Sequence, residues 1–276
     1  MSLAPVDFEY LQKLVMRHSA IVIDAGKEYL AETRLASLVQ EHGCSTLPEF
    51  LQRLRAESFG GMHRKVLDAM TNTETCFFRD CGPFAALENH VFPDLMKRRE
   101  GERKLSLWSA ACSSGQEPYS VAILLRENSA LRTWTLTIRA TDFSDRVLEQ
   151  ARAGIYRQME VNRGLPARYL TKYFTNAGLK WQLKPEITEM VTFQQMNLSD
   201  AWPELPRFDV VFLRNVLIYF SLETRRQILA RMLRVLRPDG YLFLGSAESI
   251  LGTDSGFRRV QLDKVVCYQT QPKVIP

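Results

Sequence analysis

The segment from Leu105 to Leu125 limits the possible folds of the chain more than any other segment. A short apolar run ends at Trp108, a loop of small residues follows, and a helical pattern begins at Val121. This order of strand, tight loop and helix is typical of an α/β sheet. Small side chains before Gly115 let a ligand approach the backbone closely, so the segment predicts a loop that suits a nucleotide-like cofactor.

The same loop discriminates between cofactors. A dinucleotide fold uses three glycines in the pattern G-x-G-x-x-G, whereas this loop has only Gly115. Glu117 would repel a phosphate at the helix N-terminus but attract the cationic amino group of a methionine moiety. The loop therefore favours S-adenosylmethionine over a dinucleotide. An ordinary βα turn without a ligand accounts for this segment equally well.

Composition sets broad limits on the class of protein. The chain has 276 residues, of which 46% are hydrophobic and 24% charged, enough for one large core or two domains. No run approaches the ~18 apolar residues that cross a membrane, and no signal-peptide pattern opens the chain, so we expect a cytoplasmic protein without membrane insertion. The five cysteines form no C-x-x-C pair and the four histidines no H-x-x-x-H, which predicts free thiols and no metal site.

The formal net charge of +5 suggests a nucleic-acid partner at first sight. The positive excess, however, lies beyond residue 85 and is spread over predicted helices, where a solvated face is the usual explanation. One local basic cluster stands in the otherwise acidic N-terminal region: Arg53, Arg55, Arg64 and Lys65. This cluster would suit an acidic partner, although a plain exposed surface is the simpler explanation.

Hydrophobic periodicity divides the chain into a helical domain, residues 1–85, and an α/β domain, residues 86–276. Helices are predicted at 7–17, 27–41, 49–57, 62–70, 119–126, 145–152, 166–174 and 222–236. Strands are predicted at 106–108, 136–140, 191–194, 210–213, 241–244 and 265–269, which indicates a parallel sheet covered by helices on both faces. Between about 155 and 189 a strand-turn-strand pattern around 179–183 and Ile187 indicates an inserted subdomain, because a structureless loop of that length would be unusual.

Polar residues follow two of these strands, at the edge where ligands bind in such sheets. Asp142 follows the second strand, where an acidic residue would hold ribose hydroxyls. The alternative is a helix N-cap, but Ser144 or Asp145 could supply that cap. Arg214 and Asn215 follow the fourth strand, where methyltransferases of nucleobase or amide nitrogens commonly have Asn/Asp-Pro-Pro-Tyr. This chain lacks that motif, which argues against methylation of nucleic acid.

The segment from Thr71 to Asp80, between the two predicted domains, combines hydroxyl groups with two aromatic rings and an arginine. Domain junctions are common places for ligand clefts. Taken alone, Arg79 is better explained as a surface ion pair with Asp80 or Glu74. In the same way, Tyr219 is better explained as an aromatic residue at the edge of a core.

Together these segments resemble the chemotaxis receptor methyltransferases, the CheR family, which esterify glutamates on bacterial chemoreceptors with S-adenosylmethionine. The resemblance covers nearly the whole chain. It is carried by the helical N-terminal part, T-E-T…F-F-R ending at Arg79, W-S-A-A-C-S-S-G-Q-E-P-Y-S from Trp108, A-T-D ending at Asp142, the insertion that begins with G-I-Y, N-L at Asn197, and R-N-V-L-I-Y-F from Arg214. It implies an α/β fold: a Rossmann-like class I methyltransferase sheet with an N-terminal all-helical domain and a small inserted antiparallel β subdomain.

The resemblance also implies roles for individual residues. Arg79 and Tyr219 are expected to be catalytic, and cofactor contacts are expected at Thr73, Thr75, Arg79, Glu117, Asp142, Asn197, Leu198, Asn215 and Val216. Thr73 stands where the family usually has asparagine, and a hydroxyl cannot replace an amide donor and acceptor together. The implied partner is the cytoplasmic domain of chemoreceptors, in part of the family through a receptor C-terminal peptide bound by the inserted subdomain. We expect a monomer.

Three hypotheses about function stay open from the sequence. The favoured one is a receptor glutamate methyltransferase, whose substrate carboxylate has a pKa near 4.3 and needs positioning rather than a general base. For that reaction, Arg79 is expected to hold one carboxylate oxygen, with Tyr219 closing the opposite side by a hydrogen bond. The others are an adaptor that binds S-adenosylmethionine or its product S-adenosylhomocysteine without catalysis, and a methyltransferase of small molecules or nucleic acid.

Overall fold

The computed structural model describes residues 3–253 and 256–271, and the chain divides into two compact units. The first unit runs through Asn72 and also contains Tyr219–Thr224. The second unit contains Thr73–Ile218 and the chain from Arg225 onward. The domain limits proposed from the sequence, 1–85 and 86–276 with an insertion at about 155–189, stay predictions.

The first unit consists mainly of four helices, close to the positions predicted: α1 Pro5–Ser19, α2 Glu28–Glu41, α3 Leu47–Ala56 and α4 Gly61–Met70. Their apolar faces meet in a core in which Leu11, Leu35, Phe50 and Val66 are completely buried. Because the buried residues within each helix recur at helical spacing, each helix buries one stripe and leaves the opposite face in solvent. A short bridge between Ile21 and Phe220 ties the segment from Tyr219 to this unit.

The second unit is built on a seven-stranded sheet in the order β6-β2-β1-β7-β8-β10-β9. Its strands are β1 Lys104–Ala110, β2 Thr135–Asp142, β6 Val191–Gln195, β7 Phe208–Leu213, β8 Leu236–Leu244, β9 Phe257–Leu262 and β10 Val265–Thr270. Strands β6, β2, β1, β7 and β8 are parallel, and β10 and β9 continue the sheet in antiparallel fashion. The Rossmann-like methyltransferase sheet is thereby confirmed. Strand β9 was missed because Arg258 and Arg259, exposed at the sheet edge, interrupt its apolar pattern.

Helices cover this sheet, and β7 between them is buried at every residue. The α-helices of the second unit are α5 Gly82–Ala86, α6 Phe92–Arg98, α7 Gln116–Glu127, α8 Asp145–Ala153, α9 Gln158–Asn162, α10 Ala167–Tyr173, α11 Pro185–Thr188 and most of α12 Leu222–Val235, whose first three residues belong to the first unit. Trp108, Tyr119 and Phe212 are among the largest fully buried side chains. No helix in the part of the chain that is described has the length and apolar character needed to cross a membrane.

A separate three-stranded antiparallel sheet confirms the predicted β insertion. It pairs β3 Ile155–Arg157 and β4 Phe174–Ala177 with the central β5 Lys180–Leu183. The prediction that Ile187 belongs to a strand is wrong. Pro185 opens the helical turn α11 there, since its fixed φ and missing N–H suit the first helical position.

Between the predicted helix 222–236 and the predicted strand 241–244, the sequence R-P-D-G indicates a helix stop and a turn, and this prediction is also wrong. Residues 237–240 belong to β8, which begins directly at Leu236. Leu236 pairs with Phe208 and Tyr241 pairs with Val210, so the residues between them bulge out of register. The bulge places Asp239 on the side chain of Arg99, and this ion pair supports an irregular strand where the sequence suggested a turn.

Candidate functional site

Four neighbouring parallel strands bring most of the predicted site residues to one edge of the sheet. In β6-β2-β1-β7, Ala110 pairs with both Thr141 and Leu213, and Asp142 pairs with Gln195. The four carboxyl ends are therefore level with one another. The residues at these ends or shortly after them include Glu117, Asp142, Asn197, Leu198, Asn215 and Val216. This is the edge at which open α/β sheets bind ligands.

The loop after β1 has an unusual backbone. Ala111, Ser113 and Gly115 all have left-handed φ angles, of 60°, 51° and 92°. A side chain at Gly115 would place a Cβ 2.9 Å from the Cβ of Ala151 and 3.2 Å from the Tyr119 ring, so only glycine fits. Such strain persists where the surrounding structure enforces it, and it is concentrated at functional sites.

Asp142 holds this loop in place. Its carboxylate accepts hydrogen bonds from the backbone N–H of Ser113 at 2.8 Å and from that of Ser144 at 3.0 Å. The Ser144 hydroxyl caps α8 by accepting from the N–H of Val147, so the helix N-cap expected as the alternative role for Asp142 belongs to Ser144. Asp142 is thus a half-buried carboxylate fixed at the end of β2.

Glu117 belongs to a buried ion network. Its Oε1 accepts from the Ser109 hydroxyl at 2.7 Å, and its Oε2 accepts from Nη1 of Arg214 at 3.0 Å. Through Nη2, Arg214 also binds the Asp80 carboxylate at 2.6 Å and the Arg79 carbonyl oxygen at 2.9 Å. The strand end, the first turn of α7 and the segment around Arg79 are therefore one hydrogen-bonded unit.

Arg79 is not held in the surface ion pair that the sequence suggested. The Asp80 carboxylate binds Arg214, and the Glu74 carboxylate binds Arg163 at 2.6 Å. Arg79 donates instead to the backbone carbonyl oxygen of Glu74 at 3.0 Å. Arg163 and, more weakly, Arg79 lower the pKa of Glu74. The half-buried Arg79 guanidinium thus keeps donors that no carboxylate among the described residues neutralises at hydrogen-bond distance.

The segment that carries Thr73 and Thr75 reaches the same edge. The Ser113 hydroxyl donates to the carbonyl oxygen of Thr73 at 2.6 Å, and Thr73 and Thr75 are both half-buried. The backbone of Thr73 thus lies against the strained loop. This contact does not involve the Thr73 side chain, which stands where the family usually has asparagine. Hydrogen bonds to Ser113 and Arg214 anchor this segment at two points.

Asn197 and Leu198 follow β6 beside Asp142. The N–H of Met196 donates to the carbonyl oxygen of Asp142 at 2.8 Å, which extends the pairing of the two strands. The Asn197 side chain accepts from the N–H and the hydroxyl of Ser199, and Leu198 is buried. A fixed turn with one apolar side chain therefore flanks the Asp142 carboxylate.

Asn215 and Val216 are placed by backbone contacts, because both of their N–H groups donate to the Glu248 carboxylate. Tyr219 belongs to the first unit, where its hydroxyl accepts from the side-chain amide of Asn72 at 2.6 Å. Its backbone carbonyl oxygen accepts from the N–H of Val22 at 2.8 Å. The Tyr219 side chain is thus oriented by a polar contact rather than buried in a core.

Cys112 is the one thiol in the strained loop. Burial, and after it the charges of Asp142 and Glu117, raise the pKa of this thiol well above its ordinary value. The thiol therefore stays protonated at neutral pH. A protonated thiol is a poor nucleophile, so Cys112 would not compete for an electrophilic ligand group at this edge.

Several residues that organise this edge were given no role from the sequence. They are Ser109, Ser113, Arg214 and Glu248. Arg214 could have been found, since a charged residue directly after the apolar run 210–213 is buried only with a partner. Glu248 follows β8 at the same edge after small residues, a weaker signal.

The groups present fit S-adenosylmethionine better than a phosphate-bearing nucleotide. Two carboxylates, Glu117 and Asp142, lie at adjacent strand ends, and the loop between them permits close approach at Gly115. Carboxylates accept hydrogen bonds from an ammonium group and from ribose hydroxyls, and they repel phosphate. Within residues 3–253 and 256–271, no group of histidine, cysteine, aspartate or glutamate side chains could hold a metal ion.

Comparison with known families and proteins agrees with this geometry. Residues 73–266 match the CheR methyltransferase S-adenosylmethionine-binding domain, and residues 6–71 match the CheR all-α domain. The chain is 39% identical to the chemotaxis protein methyltransferase Cher2 of Pseudomonas putida and 41% identical to chemotaxis protein methyltransferase 1 of Pseudomonas aeruginosa, in each case over 98% of this chain and 100% of the relative. It is 32% identical to the chemotaxis protein methyltransferase of Escherichia coli, over 90% of this chain and 86% of that one. The chain therefore belongs to the CheR methyltransferase family and is an S-adenosylmethionine-dependent methyltransferase of chemotaxis.

Proposed function

We propose that this enzyme methylates glutamate side chains on the cytoplasmic domain of chemoreceptors, with Arg79 and Tyr219 as its catalytic residues. The observation that carries the residue assignment is the network around Arg214. It joins Glu117, the acid expected to hold the cofactor, to the backbone of Arg79, the cation expected to hold the substrate. One buried side chain thus fixes the proposed cofactor and substrate positions together.

The proposed cofactor contacts divide by chemistry. Glu117 would accept from the amino group of the methionine moiety and Asp142 from the ribose hydroxyls. Leu198 and Val216 would supply apolar contacts, and the remaining polar contacts would come from Thr73, Thr75, Arg79, Asn197 and Asn215. S-adenosylmethionine, when bound, supplies a methyl group whose bond to the sulfonium sulfur breaks, with its electron pair moving to sulfur, as the new C–O bond forms.

The proposed catalytic residues act by positioning and by charge. A glutamate side chain is ionised at neutral pH, so no residue of the chain needs to remove a proton. Arg79 donates one charge-assisted hydrogen bond to the substrate carboxylate and leaves the second oxygen as the nucleophile. A bidentate grip would occupy both oxygens and reduce their nucleophilicity. The Tyr219 hydroxyl already accepts from Asn72, so its proton remains available to donate to the substrate.

The first experiment separates this activity from the alternatives. The protein is incubated with methyl-labelled S-adenosylmethionine and a chemoreceptor cytoplasmic domain, and base-labile ester on the receptor is measured. Label on receptor that is lost in mild base is expected. Cofactor binding without any transfer would support an adaptor instead, and base-stable label would contradict glutamate esterification.

Arg79→Lys tests the catalytic assignment. Lysine keeps the charge but lacks the planar fork that orients a carboxylate, so kcat should fall by roughly 100-fold while the Kd for S-adenosylhomocysteine changes less. Arg163→Lys is the matched control, since Arg163 makes a solvent-exposed ion pair with Glu74 in the same region. Equal kcat for Arg79→Lys and the wild-type protein would rule out the role of Arg79.

The partner surface is a finer part of the proposal. Within the basic cluster of the first unit, Arg53 pairs with Glu49, Arg55 with Asp7 and Lys65 with Glu41, which leaves Arg64 as its exposed cation outside these pairs. We therefore expect a weak electrostatic contribution to receptor docking. It should appear as a KM for receptor that rises in Arg64→Glu at low salt and converges with wild type at high salt.

The remaining parts of the proposal concern location and assembly. The enzyme would act in the cytoplasm as a monomer, and it would not use nucleic acid as a substrate. The inserted β subdomain is the proposed site for a receptor C-terminal peptide. Removal of that peptide from the receptor should then raise the KM for receptor and leave the KM for S-adenosylmethionine unchanged.

A further inference from the structure

We propose that Glu248 is a positioning residue, which fixes the backbone from Asn215 to Ile218 and thereby prepares the cofactor site. This inference rests on the proposed assignment of Asn215 and Val216 to the cofactor. Glu248 follows β8, and its carboxylate reaches across to the loop that follows β7. It has no part in the transfer of the methyl group itself.

The Glu248 carboxylate accepts four hydrogen bonds from described residues, and all four come from backbone N–H groups. Oε2 accepts from Asn215 at 2.7 Å and from Gly245 at 2.7 Å. Oε1 accepts from Val216 at 2.9 Å and from Ile218 at 3.3 Å. Converging N–H groups of this kind form a nest, which normally binds an anionic ligand. Here the chain supplies the anion, so the ends of β7 and β8 are tied together.

The loop needs such an anchor because its backbone conformation is uncommon. Asn215 has a left-handed φ of 58°, which costs free energy for residues with a side chain, although asparagine tolerates it better than most. Glu248 binds the N–H groups on both sides of this strained conformation, those of Asn215 and Val216. Without the carboxylate, these donors would point toward one another with nothing to offset their mutual repulsion.

Gly245 shows that the ends of β7 and β8 are packed too closely for a side chain between them. A Cβ at this position would lie 2.6 Å from the Asn215 side-chain nitrogen, 2.7 Å from Oε2 of Glu248 and 2.8 Å from the Asn215 backbone nitrogen. Contacts this short are not tolerated, so the close approach of the two strand ends requires glycine. The loop, the carboxylate and Gly245 therefore fit together in one arrangement only.

Glu248 is placed for this task rather than for general stability. It is half-exposed, and it takes part in none of the ion pairs formed by the described residues. Its partners are confined to the edge of the sheet at which the cofactor residues meet. Loss of its carboxylate should therefore disturb that edge and leave the packed core unchanged.

Glu248→Gln is the informative variant, since it keeps the size of the side chain but replaces one acceptor oxygen by an NH₂ group that faces N–H donors. We expect the Kd for S-adenosylhomocysteine, measured by calorimetry, to rise at least 10-fold. The KM for S-adenosylmethionine should rise in parallel, whereas kcat at saturating cofactor and the KM for receptor should change less than threefold. Glu248→Asp, which retains both oxygens on a shorter side chain, should recover part of the affinity.

Glu102→Gln is the matched control. Glu102 lies in the same unit, is half-exposed and accepts hydrogen bonds from Arg237 before β1, away from the proposed site. This variant should bind S-adenosylhomocysteine as the wild-type protein does. Hydrogen exchange in the cofactor-free proteins gives a readout that does not depend on binding, because the amides of Asn215 and Val216 should exchange faster in Glu248→Gln than in Glu102→Gln.

The outcomes separate this inference from the proposed function. Wild-type affinity and unchanged exchange at Asn215 and Val216 in Glu248→Gln would overturn the positioning role while leaving the cofactor site intact. Equal losses of thermal stability and affinity in Glu248→Gln and Glu102→Gln would also overturn it, because the effect would then be general. Failure of the wild-type protein to bind S-adenosylhomocysteine would instead contradict the proposed cofactor assignment, and exchange would still test the anchor.

Discussion

The two ends of β7 carry similar buried ion networks that differ in their completeness. Asp209 lies near the start of the strand and binds Arg99, and Arg214 directly follows its end and binds Glu117. Both arginines are almost completely buried, with side-chain exposures of 7% and 1%. One strand thus offers an internal comparison between a charge network that serves stability and one that we assign to function.

The network at the start of β7 is closed. Arg99 donates from Nε to Asp209 at 2.8 Å and from its two Nη atoms to Asp239 at 2.9 and 2.5 Å. The second oxygen of Asp209 accepts from the Ser106 N–H at 2.9 Å. All three nitrogens of the guanidinium group donate to carboxylates, which is the geometry in which buried charges are well compensated.

The network at the end of β7 is open. The Nε of Arg214 is buried, and no acceptor for it exists among residues 3–253 and 256–271. Backbone strain accumulates in the same region, with left-handed φ angles at Phe78, Asp80 and Cys81. Unsatisfied polar atoms and strained residues are retained where function requires them. The network at the start of β7 thus satisfies its charges completely, whereas the network at its end leaves a buried donor unsatisfied among the described residues, beside a strained backbone.

The largest expected effect comes from removing either arginine. Arg99→Met and Arg214→Met should each lower the free energy of unfolding by about 3–5 kcal/mol, because each removes the cation that donates hydrogen bonds to a buried carboxylate. The two variants should differ with ligand. S-adenosylhomocysteine at about 100 times its wild-type Kd should stabilise Arg99→Met by the roughly 2.7 kcal/mol expected for the wild type, and Arg214→Met by much less.

Urea unfolding with and without ligand measures both quantities. Arg98→Met serves as the control, since Arg98 contacts Asp94 and Asp239 but is 40% exposed. Equal ligand stabilisation in Arg99→Met and Arg214→Met would break the comparison, because both ends would then be structural only.

The second prediction concerns Asp142, which lies at the same edge of the sheet as the open network of Arg214. We call this the open edge, and the edge at the start of β7 the closed edge. Asp142→Ala should weaken binding of S-adenosylhomocysteine by roughly 1.5–3 kcal/mol, the range for hydrogen bonds to a charged group. The loss has two sources: the proposed ribose contacts and the release of the Ser113 N–H that holds the strained loop. Calorimetry gives the affinity, and Asp145→Ala, at the first residue of α8, is the control. Unchanged affinity in Asp142→Ala would remove Asp142 from the site.

The sequence predicted the open edge better than the closed one. Glu117, Asp142 and Asn215 were expected at one edge because each comes at or after the end of a strand, and parallel strands bring such positions together. The Arg99–Asp239 contact joins residues far apart along the chain, across a bulge in β8 that the pattern R-P-D-G disguised as a turn. Local patterns carry no information about that pairing.

The same limit applies within the site. The partner of Arg79 was sought among its neighbours in sequence, whereas the carboxylates of Asp80 and Glu74 bind Arg214 and Arg163 instead. Long side chains form ion pairs with residues that are close in space, and those distances depend on the fold. The anchor at Glu248 was missed for the same reason, since its partners are backbone groups that no residue type identifies.

The third prediction uses the departure from the family pattern at Thr73. Thr73→Asn restores an amide donor and acceptor at the open edge, so affinity for S-adenosylhomocysteine should rise by about 0.5–1.5 kcal/mol, the net value of one hydrogen bond. The backbone contact between Thr73 and Ser113 does not depend on the side chain and should persist. Thr71→Asn provides the control, and calorimetry the measurement. Weaker binding in Thr73→Asn would show that the local backbone has adapted to threonine.

The smallest effect is expected at the closed edge, in the dependence of stability on pH. Hydrogen bonding to Arg99 lowers the pKa of Asp239 below its ordinary value of 3.8. Since the folded-state pKa is the lower one, the contribution of Asp239 to the free energy of unfolding is present above about pH 4 and is lost as the pH falls through that lowered pKa. Asp239→Asn should therefore flatten the fall in stability below pH 4, by a small amount because the carboxylate is 31% exposed. Urea unfolding between pH 2.5 and 6 measures the slope, with Glu204→Gln as the control outside the network. The same slope in Asp239→Asn and wild type would mean that Asp209 alone holds Arg99, and the closed network would then be one ion pair smaller than its geometry indicates.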